Sequence, residues 1–124
     1  MKGYWYLGSP YKKYREGPTM AYVVACQEAA RLISSGVPVF SPIAHAHPIA
    51  MFGNINPLAH EIWLPADQPL MNAARGLIVL KMEGWEESYG LTVEIDAFTR
   101  AEKPIVYLGV GETFLPEPSE LVGW

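Results

Sequence analysis

Cysteine is almost absent from this chain of 124 residues, in which Cys26 stands alone. A single cysteine cannot form an intrachain disulfide, and it excludes zinc sites built from several thiolates. Cys26 lies among valines and alanines, so we expect a packed thiol rather than a reactive one. The metal-binding pattern His-Glu-x-x-His is also missing. The sequence therefore predicts no metal ion and no cofactor.

Positive charge and long apolar runs are scarce as well. Nine Lys and Arg residues against 13 Asp and Glu residues give a net charge of −4, which disfavours a nucleic acid polymer as partner. No apolar run approaches the roughly 20 residues that cross a bilayer, and the N-terminus has no apolar signal segment. We therefore expect a cytoplasmic protein without a membrane partner.

Hydrophobic side chains are abundant: they make up 50% of the residues, and only 18% are charged. Such a composition excludes disorder, and a chain of this length can bury a core in one domain. We expect residues 1–124 to form that domain. The excess of apolar side chains also predicts a buried interface between copies of the chain.

Short apolar runs alternate with helical patterns along the chain. This alternation is typical of an α/β fold in which helices cover both faces of a parallel sheet. Pro38 places the second strand at an edge of that sheet. A Pro-rich tail follows the last strand. The predicted strands are 3–8, 37–40, 77–81 and 104–108, and the predicted helices are 19–35, 67–75 and 88–102, with helical turns near 44–52 and 57–63.

Glu94 is the most unusual residue of the helix predicted at 88–102. It falls within the apolar stripe of that helix, where a carboxylate is costly unless it has a partner or a task. It also lies in the first two turns, where the positive end of the helix favours the ionised form. Glu94 is therefore a candidate nucleophile, and the alternative is an ion pair with Lys81 or Lys103. The apolar stripe consists of Leu91, Ile95 and Phe98.

Three segments follow the carboxyl ends of predicted strands: Gly8-Ser9, the loop from Ser41, and residues 83–88. In parallel sheets the ligand binds outside these ends, where the strand order reverses. We therefore expect the three segments to line one crevice, with Glu94 just beyond it.

Asp67 is the expected partner of Glu94. Cleavage of an N-glycosidic bond by a carboxylate nucleophile needs one ionised group at the anomeric carbon and a second group that handles a proton at the departing base. The alternative is that Asp67 only caps the helix that follows Pro65.

Small residues beside the expected crevice each have two interpretations. Ser88 and Gly90 either start the helix or hold a sugar hydroxyl or a phosphate. Gly8 and Ser9 either form a tight turn or let the backbone approach a ligand closely. A basic run after that turn either meets a 5′-phosphate or forms a solvated face. The run consists of Lys12, Lys13 and Arg15.

All three histidines fall in the irregular excursion between the second and third strands. His45 and His47 are spaced as strand residues that share one face, but with Asp67 they match no established metal-ligand spacing. We expect instead that a histidine lines the pocket or hydrogen-bonds within the loop. Trp5 and Tyr6 must point to opposite faces of the sheet. The aromatic candidates for stacking on a flat base are Trp5, Tyr6, Tyr11, Trp63 and Trp85.

These elements together resemble the nucleoside 2-deoxyribosyltransferase superfamily, which includes the 2′-deoxynucleoside 5′-phosphate N-hydrolases. The most specific element is Ser88-x-Gly90-x-x-x-Glu94, placed between two strands. The segment 41–45, Ser-Pro-Ile-Ala-His, is similar to one shared by a subgroup of small bacterial and phage proteins in that superfamily. Further matching elements are Tyr6-Leu7-Gly8-Ser9-Pro10-Tyr11, Asp67 before the middle strand, and Lys103-Pro104-Ile105.

The resemblance implies a flavodoxin-like three-layer α/β sandwich with four or five parallel strands. It implies that Glu94 attacks the anomeric carbon and that Asp67 assists the departure of the base. It also implies a homodimer or homotetramer in which a neighbour's residue completes the pocket. The substrate-binding positions that follow from the comparison and from the crevice are Gly8, Ser9, Tyr11, His45, Ser88 and Gly90.

Two departures from the superfamily concern the phosphate. Alignment on Gly8 places Trp5 where the phosphate-hydrolysing members carry a tyrosine. The arginine that those members carry after the Gly-Ser turn has no counterpart at Tyr11, so Lys12 or Arg15 would have to replace it. The requirement for a 5′-phosphate therefore stays open.

The expected function is cleavage or transfer at the N-glycosidic bond of a (deoxy)nucleoside or its 5′-monophosphate, through a covalent glycosyl–Glu94 intermediate. Water would resolve this intermediate in a hydrolase and a second base would do so in a transferase, and the shared first step leaves both open. The alternative from another class is a nucleotide-binding module without chemistry, and a metal-dependent hydrolase ranks third.

Overall fold

The computed structural model describes residues 3–112 and residue 114. The strands among them are β1 (Trp5–Gly8), β2 (Val39–Phe40), β3 (Gly76–Leu80) and β4 (Ile105–Leu108). All four are parallel and form one sheet in the order β2-β1-β3-β4. This confirms the predicted flavodoxin-like α/β sandwich, with four strands in the described part of the chain. The predicted Pro-rich tail falls mainly on residues 115–124, outside the described residues.

Four helices connect the strands: α1 (Pro18–Ser34), α2 (Pro42–Gly53), α3 (His60–Ala73) and α4 (Tyr89–Arg100). α1 joins β1 to β2, α2 and α3 lie between β2 and β3, and α4 joins β3 to β4 after a 3₁₀ turn at Trp85–Glu87. Within residues 3–112 no helix is both long and apolar enough to cross a bilayer.

Alternate residues of β1 enter two separate cores. Trp5 and Leu7 join a cluster with Leu32 of α1, whereas Tyr6 joins a cluster with Phe98 of α4. Helices therefore cover both faces of the sheet. The predicted opposite orientation of Trp5 and Tyr6 is confirmed, but both rings are at most 2% exposed. Their burial in the cores contradicts the prediction that they stack on a base.

β2 is the shortest strand and lies at an edge of the sheet, as Pro38 predicts. The carbonyl oxygen of Pro38 accepts a hydrogen bond from the Trp5 backbone N–H at 2.9 Å. Strand pairing covers only the last two of the four predicted residues, 37–40. Pro38 itself has no N–H that would extend the ladder.

Two serines start helices at the carboxyl edge of the sheet. Ser41 Oγ accepts a hydrogen bond from Ala44 N at 3.1 Å, and Ser88 Oγ accepts one from Leu91 N at 3.2 Å. These caps satisfy N–H groups that the first turn of a helix leaves free. The cap interpretation of Ser88 is therefore correct, and it fixes the start of α4 beside the end of β3.

The start of α3 differs from the prediction. The sequence predicts helical turns near 57–63 and a separate helix from Asp67, but α3 is one helix that begins at His60 and continues through Pro65 and Pro69. Each proline removes one backbone hydrogen bond, yet most helical stability in a protein comes from packing, and Met71 of α3 is buried in the core. Ala59 occupies the N-cap position. The capping role considered for Asp67 is therefore wrong, because this residue lies in the middle of the helix.

Candidate active site

A cavity of about 220 Å³ opens beyond the carboxyl end of β1. The strand order reverses at β1, because β2 lies on one side of it and β3 on the other. The cavity is lined by residues that follow β1, by the first half of α2, by α3 with the loop before it, and by the start of α4. The three segments predicted to converge thus meet here, and α3 supplies a further wall that carries Asp67.

Most of the predicted site residues line this cavity, whereas Gly8 and His45 do not. The predicted residues that line it are Ser9, Tyr11, Asp67, Ser88, Gly90 and Glu94. They come from three different parts of the chain, so the fold brings together side chains that are far apart in sequence.

Gly8 lies behind Glu94 rather than in the cavity wall. A Cβ at this position would lie 2.6 Å from Glu94 Oε1 and 2.8 Å from Leu91 Cδ2. The absence of a side chain at Gly8 therefore allows α4 and its carboxylate to pack closely against the end of β1. This packing role replaces the predicted contact between Gly8 and a ligand.

His45 and His47 do not share a face, because the segment that carries them is helical and residues two apart point about 200° apart on a helix. His45 is exposed, and its ring lies 5.4 Å from that of Phe40. His47 is 7% exposed and lines the cavity. The sequence predicts that a histidine lines the pocket but selects His45, and the helical period shows that His47 occupies that place.

A metal site is not formed by these side chains. Among the described residues no three His, Cys, Asp or Glu side chains are grouped so that they could hold a metal ion. His45 still lies close enough to Asp67 for its charge to oppose the rise in the pKa of that carboxyl. Its influence on the cavity is therefore electrostatic.

Glu94 extends from the second turn of α4 to the wall of the cavity. Its Oε1 is buried, and no described residue donates a hydrogen bond to it. Burial, and after it the charge of Asp67, raises the pKa of Glu94 to about 8. The helix N-terminus favours the charged form, but desolvation outweighs it. The raised pKa therefore favours a protonated Glu94 at neutral pH, in the opposite direction to the effect expected from the helix N-terminus.

Neither Lys81 nor Lys103, the lysines considered as partners, forms an ion pair with Glu94. Lys103 Nζ donates to the carbonyl oxygens of Asn72 at 2.7 Å and Ala74 at 2.6 Å, at the end of α3. Lys81 is exposed. Within the described part of the chain Glu94 Oε1 is buried and unpartnered, so the ion-pair alternative is wrong.

Asp67 faces the cavity from the middle of α3 and is half-buried. Burial raises the pKa of Asp67 to about 6. The Tyr6 hydroxyl is buried and has no hydrogen-bond partner among the described residues. Burial, followed by the charges of Glu94 and Asp67, raises the pKa of Tyr6. The two carboxyls and this hydroxyl therefore form one cluster, and the raised pKa values of both carboxyls favour a pair that shares one proton near neutral pH.

Ser9 and Ser88 bring hydroxyls to the cavity. Ser9 Oγ is buried and has no partner in the described part of the chain, so it is free to bond a ligand. Ser88 Oγ accepts the capping bond of α4 and retains its own hydrogen for donation. At Gly90 a Cβ would meet nothing closer than Ser88 Oγ at 4.0 Å, so local packing does not require a glycine there.

Two of the five aromatic candidates line the cavity. These are Tyr11 and Trp63. Trp85 instead packs against Tyr107, with 5.7 Å between ring centroids, so the prediction that it stacks on a base is wrong. The excursion also supplies an apolar wall that sequence analysis did not identify. Its members are Pro42, Ile43, Ala46, Pro57, Leu58 and Leu64.

The basic run divides between the cavity and the solvent. Lys12 and Lys13 line the cavity and are exposed. Arg15 Nη1 lies 3.9 Å from Glu83 Oε1, and both side chains are largely exposed. Lys12 and Lys13 are therefore the cations closest to the mouth of the cavity from this run, and Arg15 is not among the lining residues.

The comparisons with known proteins place the chain in a family. No curated protein matches it. The model of a family described as "Domain of unknown function (DUF1937)" matches residues 3–110. The match spans all four strands and every residue that lines the cavity. Because the match covers most of the 124 residues, the chain belongs to the DUF1937 family.

Proposed function

We propose that this protein cleaves the N-glycosidic bond of a (deoxy)nucleoside or nucleoside 5′-monophosphate, with Glu94 as the nucleophile. The observation that carries the proposal is that Glu94 lines the cavity while its buried Oε1 has no hydrogen-bond partner among the described residues. Buried polar atoms in proteins are nearly always paired, and an unpaired one calls for a functional reason. Asp67 lies in the same cavity and supplies the second carboxyl that the reaction needs.

In the proposed reaction one carboxylate oxygen of Glu94 forms a bond to the anomeric carbon. The bond between that carbon and the base nitrogen breaks, its electron pair stays with the base, and Asp67 donates a proton to the base. This step requires the single proton of the pair to lie on Asp67 rather than on Glu94. Both arrangements contain the same number of protons, and positive charge developing on the sugar favours an ionised Glu94.

The second step releases the sugar from Glu94. Attack of water on the glycosyl–Glu94 ester gives the free sugar, and attack of another base gives a new nucleoside. Asp67 now acts as a base and takes a proton from the attacking water or base, which restores the single proton of the carboxyl pair. Hydrolysis and transfer differ only in which molecule occupies the site of the departed base.

The remaining cavity residues support a nucleoside as ligand. Trp63 and Tyr11 offer aromatic surface beside an apolar wall, as a flat base requires. Ser9 supplies a free hydroxyl for the sugar. Lys12 and Lys13 lie at the cavity and fit a 5′-phosphate. The resemblance to the nucleoside 2-deoxyribosyltransferase superfamily points to the same substrate class, and we place the reaction in the cytoplasm.

The first experiment is incubation of the protein with deoxynucleosides and their monophosphates, with chromatography to detect released base. We expect release by the parent protein and a loss of about a thousandfold or more in Glu94→Gln. Glu86→Gln is the matched control, because Glu86 is exposed in the turn before α4. Equal activity of the parent and Glu94→Gln would end the proposal.

The second candidate is a nucleotide-binding module that performs no chemistry. The raised pKa of Glu94 favours it, because a carboxyl that is protonated at neutral pH can donate a hydrogen bond to a ligand without attacking it. This candidate predicts that nucleotides raise the melting temperature without any base being released. Thermal shift and base release measured on the same samples separate the two candidates.

We also propose that two or more copies of the chain associate through α2 and α3. Large apolar side chains are exposed there, and the Phe52 side chain is 92% exposed. Exposed large apolar side chains often mark a surface that contacts another protein chain. Multi-angle light scattering should give a mass of at least twice 13.8 kDa, and Phe52→Glu should lower it. The exposed apolar residues are Ile49, Met51, Phe52 and Ile62.

A further inference from the structure

His47 forms the centre of an aromatic group outside the carboxyl cluster. Its Nδ1 lies 2.7 Å from the Tyr11 hydroxyl. The Tyr22 ring stacks on the imidazole, with 4.3 Å between centroids and 20° between planes. These contacts fix both the plane of the imidazole and its rotation. A side chain held in this way is prepared to meet a ligand in one orientation.

The hydrogen bond to Tyr11 couples the tautomer of His47 to the direction of that bond, because the Tyr11 hydroxyl can donate to Nδ1 or accept from it. The Tyr11 hydroxyl has one hydrogen, and the structure gives it no other acceptor among the described residues. If Tyr11 donates to Nδ1, a neutral ring carries its hydrogen on Nε2. Burial lowers the pKa of His47, which favours this neutral ring.

The Nε2 atom of His47 retains accessible surface. No described residue bonds Nε2, and it is not one of the fully buried atoms that lack a partner. His47 is only 7% exposed and lines the cavity. We infer from these two observations that Nε2 faces the cavity, beside Ile43 and Ala46 on the same helix.

We propose that Tyr11 and Tyr22 hold His47 as a neutral imidazole whose Nε2–H donates a hydrogen bond to an acceptor atom of the bound nucleobase. The identity of the ligand as a nucleobase rests on the proposed function. The fixed Nε2–H donor does not depend on it. The acceptor is a carbonyl oxygen or an unprotonated ring nitrogen, and an amino group at that position of the base would be rejected because it presents a second donor.

The position of His47 in the cavity supports the base rather than the sugar as its partner. The sugar must lie at Glu94, where the bond is formed. His47 lies on α2, whereas Asp67 and Glu94 lie on α3 and α4. The wall of the cavity that α2 forms also contains Ile43 and Ala46. This apolar wall suits the face of a base, and the imidazole suits its edge.

The state of the donor is tested by nitrogen NMR of the ligand-free protein. We expect the ¹⁵N shifts of His47 to show a neutral ring with the hydrogen on Nε2 at pH 7. In Tyr11→Phe this preference should be lost, and both tautomers should appear. A parent protein with the hydrogen on Nδ1, or a charged ring, would overturn the inference whatever the enzyme does.

The partner of the donor is tested by calorimetry in a Glu94→Gln background, in which turnover does not consume the probe. The probes are the four common 2′-deoxynucleoside 5′-monophosphates, and the tightest of them is used. We expect His47→Leu to weaken its binding about tenfold, the effect of a lost neutral hydrogen bond. His47→Gln, which keeps a side-chain N–H, should restore most of that loss, and a merely structural role would not produce this rescue.

The outcomes separate this inference from the proposed function. Tight binding that His47→Leu leaves unchanged would overturn only the role of His47. Absence of binding by all four monophosphates would overturn the nucleobase as the partner of His47, whereas the base-release assay, which also contains nucleosides, decides the proposed function separately. A rescue by His47→Gln alongside an unaffected Glu94 variant in the activity assay would sustain the donor and reject the nucleophile.

Discussion

Glu94→Gln should make the protein more stable, and the gain should grow as the pH rises. The pKa of Glu94 is raised from 4.5 to about 8 in the folded protein. In the unfolded chain the carboxyl ionises near its ordinary pKa, so between these values the folded state binds more protons than the unfolded state. Stability must then fall as the pH rises through this window. Glutamine has nearly the same shape and cannot ionise, so it removes the dependence.

The magnitude follows from the width of the window. Each pH unit in which the folded group is protonated and the unfolded group is ionised changes stability by about 1.4 kcal/mol. Between pH 6 and pH 8, where the folded group reaches half ionisation, the sum is about 2 kcal/mol. For a domain of this size that corresponds to about 8 °C in melting temperature. When the stability difference between Glu94→Gln and the parent is compared at two pH values, any effect of the substitution that does not depend on pH cancels.

The assay is thermal or urea unfolding of the parent, Glu94→Gln and the exposed control Glu86→Gln at pH 6 and pH 8. We expect the advantage of Glu94→Gln over the parent to be about 2 kcal/mol larger at pH 8 than at pH 6. An advantage that is the same at both pH values, or one that shrinks as the pH rises, would refute the claim that Glu94 is buried without a partner.

The remaining predictions concern activity and packing. Base release should follow a bell-shaped pH profile with limbs near about 6 and about 8, because the reaction needs one ionised carboxyl and one proton on the pair. A profile that only rises with pH would contradict the shared proton. Gly8→Ala should destabilise the protein by about 1–3 kcal/mol and lower activity, since its Cβ would overlap Glu94 Oε1 at 2.6 Å. Gly53→Ala is the control, because its Cβ would meet only Ile49 at 4.0 Å, and equal effects in both variants would contradict the packing role of Gly8.

The sheet and the place of Glu94 could be predicted from local patterns. The buried strand β3 is a continuous apolar run, and parallel sheets place their ligands at strand ends where the order reverses. Glu94 interrupts the apolar stripe of one helix. The free-energy cost of burying its carboxylate can therefore be inferred from that helix alone. These signals depend on spacing within a few residues, which the sequence displays directly.

The course of α3 and the role of His47 could not be predicted in the same way. Prolines at Pro65 and Pro69 suggest a break, and only tertiary packing keeps the helix continuous through them. The sequence predicts helical turns near 44–52, but His45 and His47 are spaced with the period of a strand, and which face of α2 is buried depends on the packing of that helix. The continuity of a helix through prolines, and the face that a helix buries, depend on contacts between segments that are distant in sequence.

The ionisation state of the carboxyl pair could not be predicted from the sequence either. Tyr6, Asp67 and Glu94 belong to three separate elements, and their electrostatic coupling depends on how β1, α3 and α4 meet. From the sequence, the position of Glu94 near a helix N-terminus favours the ionised form. The structure adds desolvation, which depends on Gly8 letting α4 close over the end of β1 and which outweighs the helix effect.

The central claim is that Glu94 forms a covalent bond to the sugar of a nucleoside. Mass spectrometry of protein quenched during turnover, followed by peptide digestion, tests it most directly. We predict a peptide that contains Glu94 and carries the added mass of the sugar without its base, and no such adduct in Glu94→Gln. Release of base with the adduct on another residue, or continued release by Glu94→Gln, would contradict the account.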